Sequence, residues 1–245
     1  MKIKILLLLV CLANLIFLSN RVSADFVDDF DSPNLDKKVW DLKTAGKASY
    51  EIKNGILKME SPAVDSGAML YHPRNLQDVD ITFEIKVNVA ELKDNISMGF
   101  IAALLEPQVN TEINNNLEST FYFVPDKWYI KQDPVVLGQK PPNPGIEGQY
   151  NKGDWNIVKI DFSKSKGKIT FYINGKEAGQ VDRNKDVKER YFYLTPDPYT
   201  SHYTGGCEVD YIKISGPGAA GLAVEPEGKI ASVWGRIKGM HSYQR

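Results

Sequence analysis

Hydrophobic and polar residues alternate with period two along most of the chain. The clearest run is Ile81, Phe83, Ile85, Val87 and Val89, separated by Thr82, Glu84, Lys86 and Asn88, and in a strand this spacing puts every apolar side chain on one face. Val158, Ile160 and Phe162, then Ile169, Phe171 and Ile173, repeat the pattern, and Lys164-Ser165-Lys166-Gly167 between them reads as a hairpin loop. Asn54-Gly55 and Asn174-Gly175 mark two tighter hairpins, because both residues tolerate the positive φ of a type I′ turn. They join Tyr50–Lys53 to Ile56–Glu60 and Lys168–Ile173 to Glu177–Val181. Further strands are predicted at Phe26–Phe30, Gly67–Leu70, Met98–Leu105, Ser119–Val124, Lys127–Lys131, Arg190–Leu194 and Glu208–Ser215. No helical pattern interrupts them before residue 215. The prediction is an all-β fold, a two-sheet antiparallel jelly-roll sandwich over residues 25–215, with a short C-terminal amphipathic helix. No repeat of propeller or solenoid period is present.

Two segments break the alternation. Gln132–Gly153 holds four prolines and four glycines in 22 residues, a length and irregularity that mark either the rim of a binding site or a surface insertion. Residues 216–227 begin with Gly216-Pro217-Gly218-Ala219-Ala220-Gly221 and read as a small-residue linker. Beyond it, in a basic tail of residues 228–245, Ile230, Val233, Trp234 and Ile237 recur at i, i+3, i+4 and i+7, so Glu227–Lys238 forms an amphipathic helix. From Gly228 onward there are four Lys/Arg and no acid. Such a tail suits contact with an anionic envelope surface, or packing of Trp234 back on the sandwich.

The N-terminus has a different pattern. Lys2 and Lys4 precede an apolar run of about 14 residues from Ile5 to Leu18, and Val22-Ser23-Ala24 has the small residues of a signal-peptidase site. Residues 1–24 therefore read as a signal peptide, and the mature protein is expected to be secreted or held at the cell surface. Its loss removes Lys2, Lys4 and Arg21 but no acid, taking the basic residues from 30 to 27 against 31 acidic. A weakly acidic mature chain offers no broad positive field for phosphates, which excludes nucleic acid as a partner. Cys207 is left as the lone thiol, so no internal disulfide is expected.

Four segments in order carry a family resemblance. They are Asp28-Asp29-Phe30-Asp31 followed by Leu35 and Trp40, the hairpin from Tyr50 to Leu57, Phe171-Tyr172-Ile173-Asn174-Gly175-Lys176, and the closing Glu208-Val209-Asp210-Tyr211-Ile212-Lys213-Ile214. Together they resemble the concanavalin A-like lectin/glucanase superfamily, especially family 16 glycoside hydrolases and laminin G-like domains. That resemblance implies a jelly roll whose concave sheet holds a glycan. It also implies a structural Ca2+ on the convex side, held by the carbonyls of Asp29 and Gly55 and the side chain of Asp210, a ligand set of hard oxygens.

The resemblance does not extend to catalysis. Family 16 enzymes carry acids at alternate positions of one strand, and no such run exists here; Glu106, Glu112 and Glu118 follow at spacings of six. Retaining hydrolysis needs two carboxyls about 5 Å apart, so these three are the candidate acids only if the chain is an enzyme, either a divergent glycosidase or one like the keto-disaccharide hydrolases. His72, His202 and His241 lack metal-ligand spacing. The expected function is non-catalytic binding of a polysaccharide or glycoconjugate, with an envelope adhesion or structural protein as a further class. Sugar rings stack on aromatic side chains while their hydroxyls seek polar partners. Trp128, Tyr129, Tyr122, Tyr199 and Tyr203 are accordingly the expected stacking residues, and Asn115, Asn116 and Gln132 the expected amide partners.

Overall fold

The computed structural model describes residues 25–63, 66–89, 98–103, 117–124, 127–131, 146–183, 189–195, 205–220 and 222. Among them the strands in chain order are β1 (Phe26–Asp28), β2 (Asp41–Ala45), β3 (Ser49–Lys53), β4 (Ile56–Ser61), β5 (Gly67–His72), β6 (Ile81–Asn88), β7 (Met98–Ala103), β8 (Leu117–Val124), β9 (Lys127–Lys131), β10 (Ile146–Gly148), β11 (Trp155–Ser163), β12 (Lys168–Ile173), β13 (Lys176–Asp182), β14 (Tyr191–Thr195) and β15 (Gly205–Ser215). They form two antiparallel sheets. The first runs β13-β12-β11-β6-β15-β4-β3, with β1 also paired to β15; the second runs β10-β9-β8-β7-β14-β5-β2. The predicted all-β sandwich is therefore what the chain forms. The helix expected over 227–238 lies outside the described residues.

Each predicted strand that falls on described residues is present, and two strands were not anticipated. β2 reads Asp-Leu-Lys-Thr-Ala, too polar to stand out, and becomes the edge partner of β5. β10 lies inside the Pro/Gly-rich segment and pairs with β9. Both Asn-Gly turns have positive φ at both residues, 56° and 75° at Asn54-Gly55 and 49° and 79° at Asn174-Gly175, as a type I′ turn requires. Asp78 and Asp80 hold the β11–β12 turn: Lys164 pairs with Asp78 at 2.8 Å, and the Ser165 amide donates to Asp80 at 3.2 Å.

The core lies between the sheets and is built from the alternating positions. Along β6 every second side chain is buried, from Ile81 to Val87, while Thr82, Glu84, Lys86 and Asn88 stay partly exposed on the other face. Phe83 of β6 stacks on Phe192 of β14 with ring centroids 4.2 Å apart and planes 4° apart, and Phe121 of β8 stacks on Phe171 of β12 at 6.1 Å. Both contacts cross the sandwich. The segment expected to be a linker starts by closing it: Pro217–Ala219 form a 3₁₀ turn whose Gly218 amide donates to Asp80 at 2.8 Å. Gly218 is required there, because a Cβ would stand 2.8 Å from that of Ile81.

Asp28 ties the first strand to the core. One carboxylate oxygen accepts from the Phe30 amide at 3.0 Å and the other from the Trp40 indole N–H at 2.9 Å. Phe30 takes a positive φ of 53°, an uncommon conformation for a bulky residue, and Trp40 is fully buried beside His72. His72 is itself 1% exposed, and its Nδ1 lies 2.8 Å from the Val39 carbonyl. That contact assigns the proton to Nδ1.

Burial holds the His72 pKa below the ordinary histidine value of 6.5. The unfolded chain then takes up a proton that the folded chain resists, so the stabilising term is complete above that value and is lost as the pH falls below it. We expect the melting temperature to drop between pH 6.5 and about 5.5, with a contribution from this residue of at most about 1.4 kcal/mol per pH unit. Thermal melts of wild type and His72→Gln check it: the variant's profile is flatter in that window, and equal slopes would assign the effect to other groups.

Candidate functional site

The second sheet presents an aromatic face on the side away from the core, and its origin lies in alternation. In β14, Phe192 and Leu194 fill the core, so Tyr191 and Tyr193 project outward; in β5, Leu70 and His72 point in, so Met69 and Tyr71 point out. Register then aligns Asp41 of β2 with Tyr71 and Tyr71 with Tyr193. Tyr71 and Tyr193 stack with centroids 5.9 Å apart, and Tyr191 meets Tyr193 edge-on at 6.5 Å. The Tyr71 hydroxyl donates to the Asp41 carboxylate. The Tyr191 hydroxyl donates to Glu189 at 3.2 Å. Lys43 sits over the Tyr71 ring, 5.5 Å from its centre. Ring faces beside carboxylates and an ammonium can stack on a sugar's C–H surface and hydrogen-bond its hydroxyls. Tyr191 and Tyr193 belong to an aromatic cluster visible in the sequence, whereas Tyr71 gives no such signal.

Trp128 and Tyr129 are neighbours on β9 and therefore face opposite ways. Trp128 points into the core, 7% exposed, stacked on Phe121 at 5.5 Å with its indole N–H donating to the Gln149 carbonyl at 3.0 Å. Gly148 makes room for it, since a Cβ there would stand 2.5 Å from the indole ring. Tyr129 is partly exposed on the other face, in register with Tyr122 of β8 and Glu147 of β10. The side chain of Tyr122 lies outside the described residues, as do Tyr199, Tyr203, Asn115, Asn116, Gln132, Glu106 and Glu112. Glu118 falls in β8 where the ladder slips: Ala102 pairs with Ser119 but Ala103 with Leu117. Glu118 is thus the extra residue of a bulge.

The three residues implied as calcium ligands come together through β15. One edge of β15 pairs with β4 up to Val209 and with β1 from Ile212 onward, so Asp210 occupies the gap between the end of β1 and the Asn54-Gly55 turn. Gly55 closes on Asp29, whose carbonyl oxygen lies 3.5 Å from where a Gly55 Cβ would be. A cleft of about 370 Å3 opens here, lined by Phe30, Asp31, Pro33, Ile52, Asn54 and Gly55. A bulge at Asp210 turns the strand, and the Asp210 carboxylate receives the Lys86 ammonium at 2.7 Å. Lys86 in turn lies over the Trp155 ring at 5.1 Å. Among the described residues no three acids, histidines or cysteines converge. The Asp210 charge is already met by Lys86, so the residues as arranged do not fit a calcium ion.

The remaining titratable groups offer no nucleophile. Burial pushes the Cys207 thiol up to about 12. Burial, followed by the hydrogen bond to Glu84, raises Tyr211 to about 12.

No family model matches the chain, and no curated protein matches it in sequence. Solved structures do match its fold. One is an endo-acting O-glycanase from the human gut microbiota, at 14% identity and a TM-score of 0.55, covering 78% of this chain and 98% of that one. A second is the carbohydrate recognition domain of Emp46p in its metal-free form, at 8% identity, a TM-score of 0.55 and coverage of 77% and 94%. An endo-β-1,3-glucanase from Pyrococcus furiosus aligns at 15% identity with a TM-score of 0.52, over 78% and 94%. The chain thus has the concanavalin A-like fold that the sequence resemblance pointed to.

Two outcomes follow from these placements. Trp128→Ala is expected to cost about 3–5 kcal/mol of folding stability, measured by denaturant unfolding; a variant as stable as wild type would put the indole outside the core. Chelation is expected to leave the melting temperature unchanged, because no bound cation is removed. A drop of several degrees on chelation, reversed by added calcium, would mean that Asp210 leaves Lys86 for the metal.

Proposed function

We propose that this chain is an exported domain that binds a polysaccharide or glycoconjugate without cleaving it, the sugar lying along the outer face of β2, β5 and β14. The observation that carries this reading is the Tyr71, Tyr193 and Tyr191 array, bordered by Asp41, Lys43 and Glu189. Soluble domains rarely commit several aromatic rings to the outer side of a sheet without a ligand or partner for them. The fold is one in which the printed names of solved neighbours include both a carbohydrate recognition domain and glycanases, which supports a glycan as the ligand.

The distribution of carboxylates favours binding over hydrolysis. Among the described strands of the second sheet the acids are Asp41, Glu118 and Glu147, so none of these strands carries two. A retaining glycosidase needs a nucleophile and a general acid about 5 Å apart, most simply supplied by alternate positions of one strand. Asp41 accepts the Tyr71 hydroxyl, and Glu147 pairs with Lys127. Neither carboxylate is placed beside a second one.

The test is native electrophoresis of the mature protein through gels containing a panel of soluble polysaccharides, followed by analysis of the same lanes for shortened chains. Retardation without product is the expected result. Tyr191→Ala is expected to weaken binding about tenfold, the loss of one stacking contact worth about 1.4 kcal/mol. Released product abolished by Glu118→Gln would overturn the reading in favour of an enzyme.

A further inference from the structure

The tyrosine face is more deeply buried than its own sheet explains. Tyr193 keeps 1% of its surface, Met69 4% and Tyr71 9%, although all three project away from the core. Among the described residues their cluster is joined only by Ala45 and Tyr191, from β2 and β14. The outward residues of β6 serve as an internal control. That strand is flanked on both sides in the middle of the first sheet, yet Thr82, Glu84, Lys86 and Asn88 all remain partly exposed. Flanking strands alone therefore leave an outward side chain half open.

The chain carries a segment suited to this face. Ile230, Val233, Trp234 and Ile237 form one apolar stripe, and Lys229, Arg236 and Lys238 stand off it in a tail with no acid after Glu227. The face offers apolar rings with the carboxylates of Asp41 and Glu189 at its borders. Position agrees as well. Arg74, two residues beyond the end of β5, donates to the Gly218 carbonyl, and Leu222 packs against the core. The chain therefore sets out for its tail beside the end of the strand whose last outward residue is Tyr71. From Leu222 to Ile230 eight residues can reach about 26 Å, enough to carry a three-turn helix across strands of five or six residues.

We propose that the basic amphipathic segment Glu227–Lys238 docks on the tyrosine face of its own chain. There it is a resident occupant that a ligand must displace. The docking stands on the burial, the apolar stripe and the charges; its regulatory consequence rests on the glycan-binding reading above.

The experiment uses the full-length mature protein and a short amine-reactive cross-linker, with linked peptides identified from the monomer band. The expected result is a link from Lys43 to Lys229 or Lys238 within one chain, lost in Trp234→Glu. That variant should also bind polysaccharide about tenfold more tightly in the gel assay, because the competing occupant is removed. Absence of the link from the monomer overturns the proposal, as does its appearance only between two chains, which would assign the face to a second copy. Protection of Lys229, Arg236 and Lys238 by anionic vesicles, with Lys43 left unlinked, would assign the tail to a membrane surface and equally overturn it. If the link forms but no polysaccharide retards either protein, the docking survives and the glycan reading falls.

Discussion

The stack of Phe83 on Phe192 decides which side of the second sheet is core and which is site. A strand's side chains alternate, so turning Phe192 inward leaves Tyr191 and Tyr193 no direction but outward. Slipping β14 by one residue would drive two tyrosines into the core and expose Phe192 and Leu194, losing several kcal/mol of apolar burial. The pairing of β14 with β5 then carries the same decision to the next strand, where His72 opposite Phe192 is buried and Tyr71 opposite Tyr193 is not part of that core. Core packing and the aromatic face are thus two outcomes of one register. Any substitution that loosens Phe83 is felt at the tyrosines, though it touches none of them.

The first sheet is closed by a different device. β15 is the longest strand, and its edge is shared between β4 and β1, the two segments that resemble the lectin/glucanase superfamily most closely. Asp28 fixes the end of β1 by accepting from Phe30 and Trp40, and Lys86 reaches across from β6 to neutralise Asp210 at the point where β1 and β4 part. An ammonium in that position satisfies a carboxylate with the charge of this chain itself. The pair is about one-third exposed on each side, so its contribution to stability is modest. Its effect on ligand chemistry is larger, because a carboxylate already paired gives a divalent cation little to gain.

Period-two alternation and Asn-Gly turns were sufficient to read most of the strands from sequence, since both signals are local: a buried face needs only its own strand, and a type I′ turn only its own two residues. β2 was missed because an edge strand with polar positions buries little, and β10 because its three residues lie in a Pro/Gly-rich stretch. The site was harder for a more general reason. Alternation says that Trp128 and Tyr129 face opposite ways but not which one meets the core; the answer lies with Phe121 and Gly148, which only the folded sheets bring to Trp128. Tyr71 was invisible because Gly67-Ala68-Met69-Leu70-Tyr71-His72 is buried at every position, and such a run carries no alternation to read. The placement of Asp210 was legible as a family position, while its engagement by Lys86 was not, because the two are distant in sequence and adjacent only through β6 and β15.

The contrast between the two sheets bears on what the fold is used for. Outward positions of the first sheet are occupied by charges of both signs, with Lys86 on Asp210, Glu84 receiving Tyr211 and Lys213 on Asp25. This is how a sheet face remains in water. Outward positions of the second are tyrosines and a methionine with a carboxylate at either border. An enzyme built on this face would have to stabilise positive charge at an anomeric carbon, and the carboxylates it offers are already accepting tyrosine hydroxyls. A binder needs only ring faces and fixed hydrogen-bonding groups, and Asp41 holding Tyr71 supplies both: it orients the ring and leaves a phenol oxygen of defined polarity. The same hydrogen bond that makes Asp41 a poor acid catalyst makes Tyr71 a rigid contact, which is why the arrangement favours recognition over turnover.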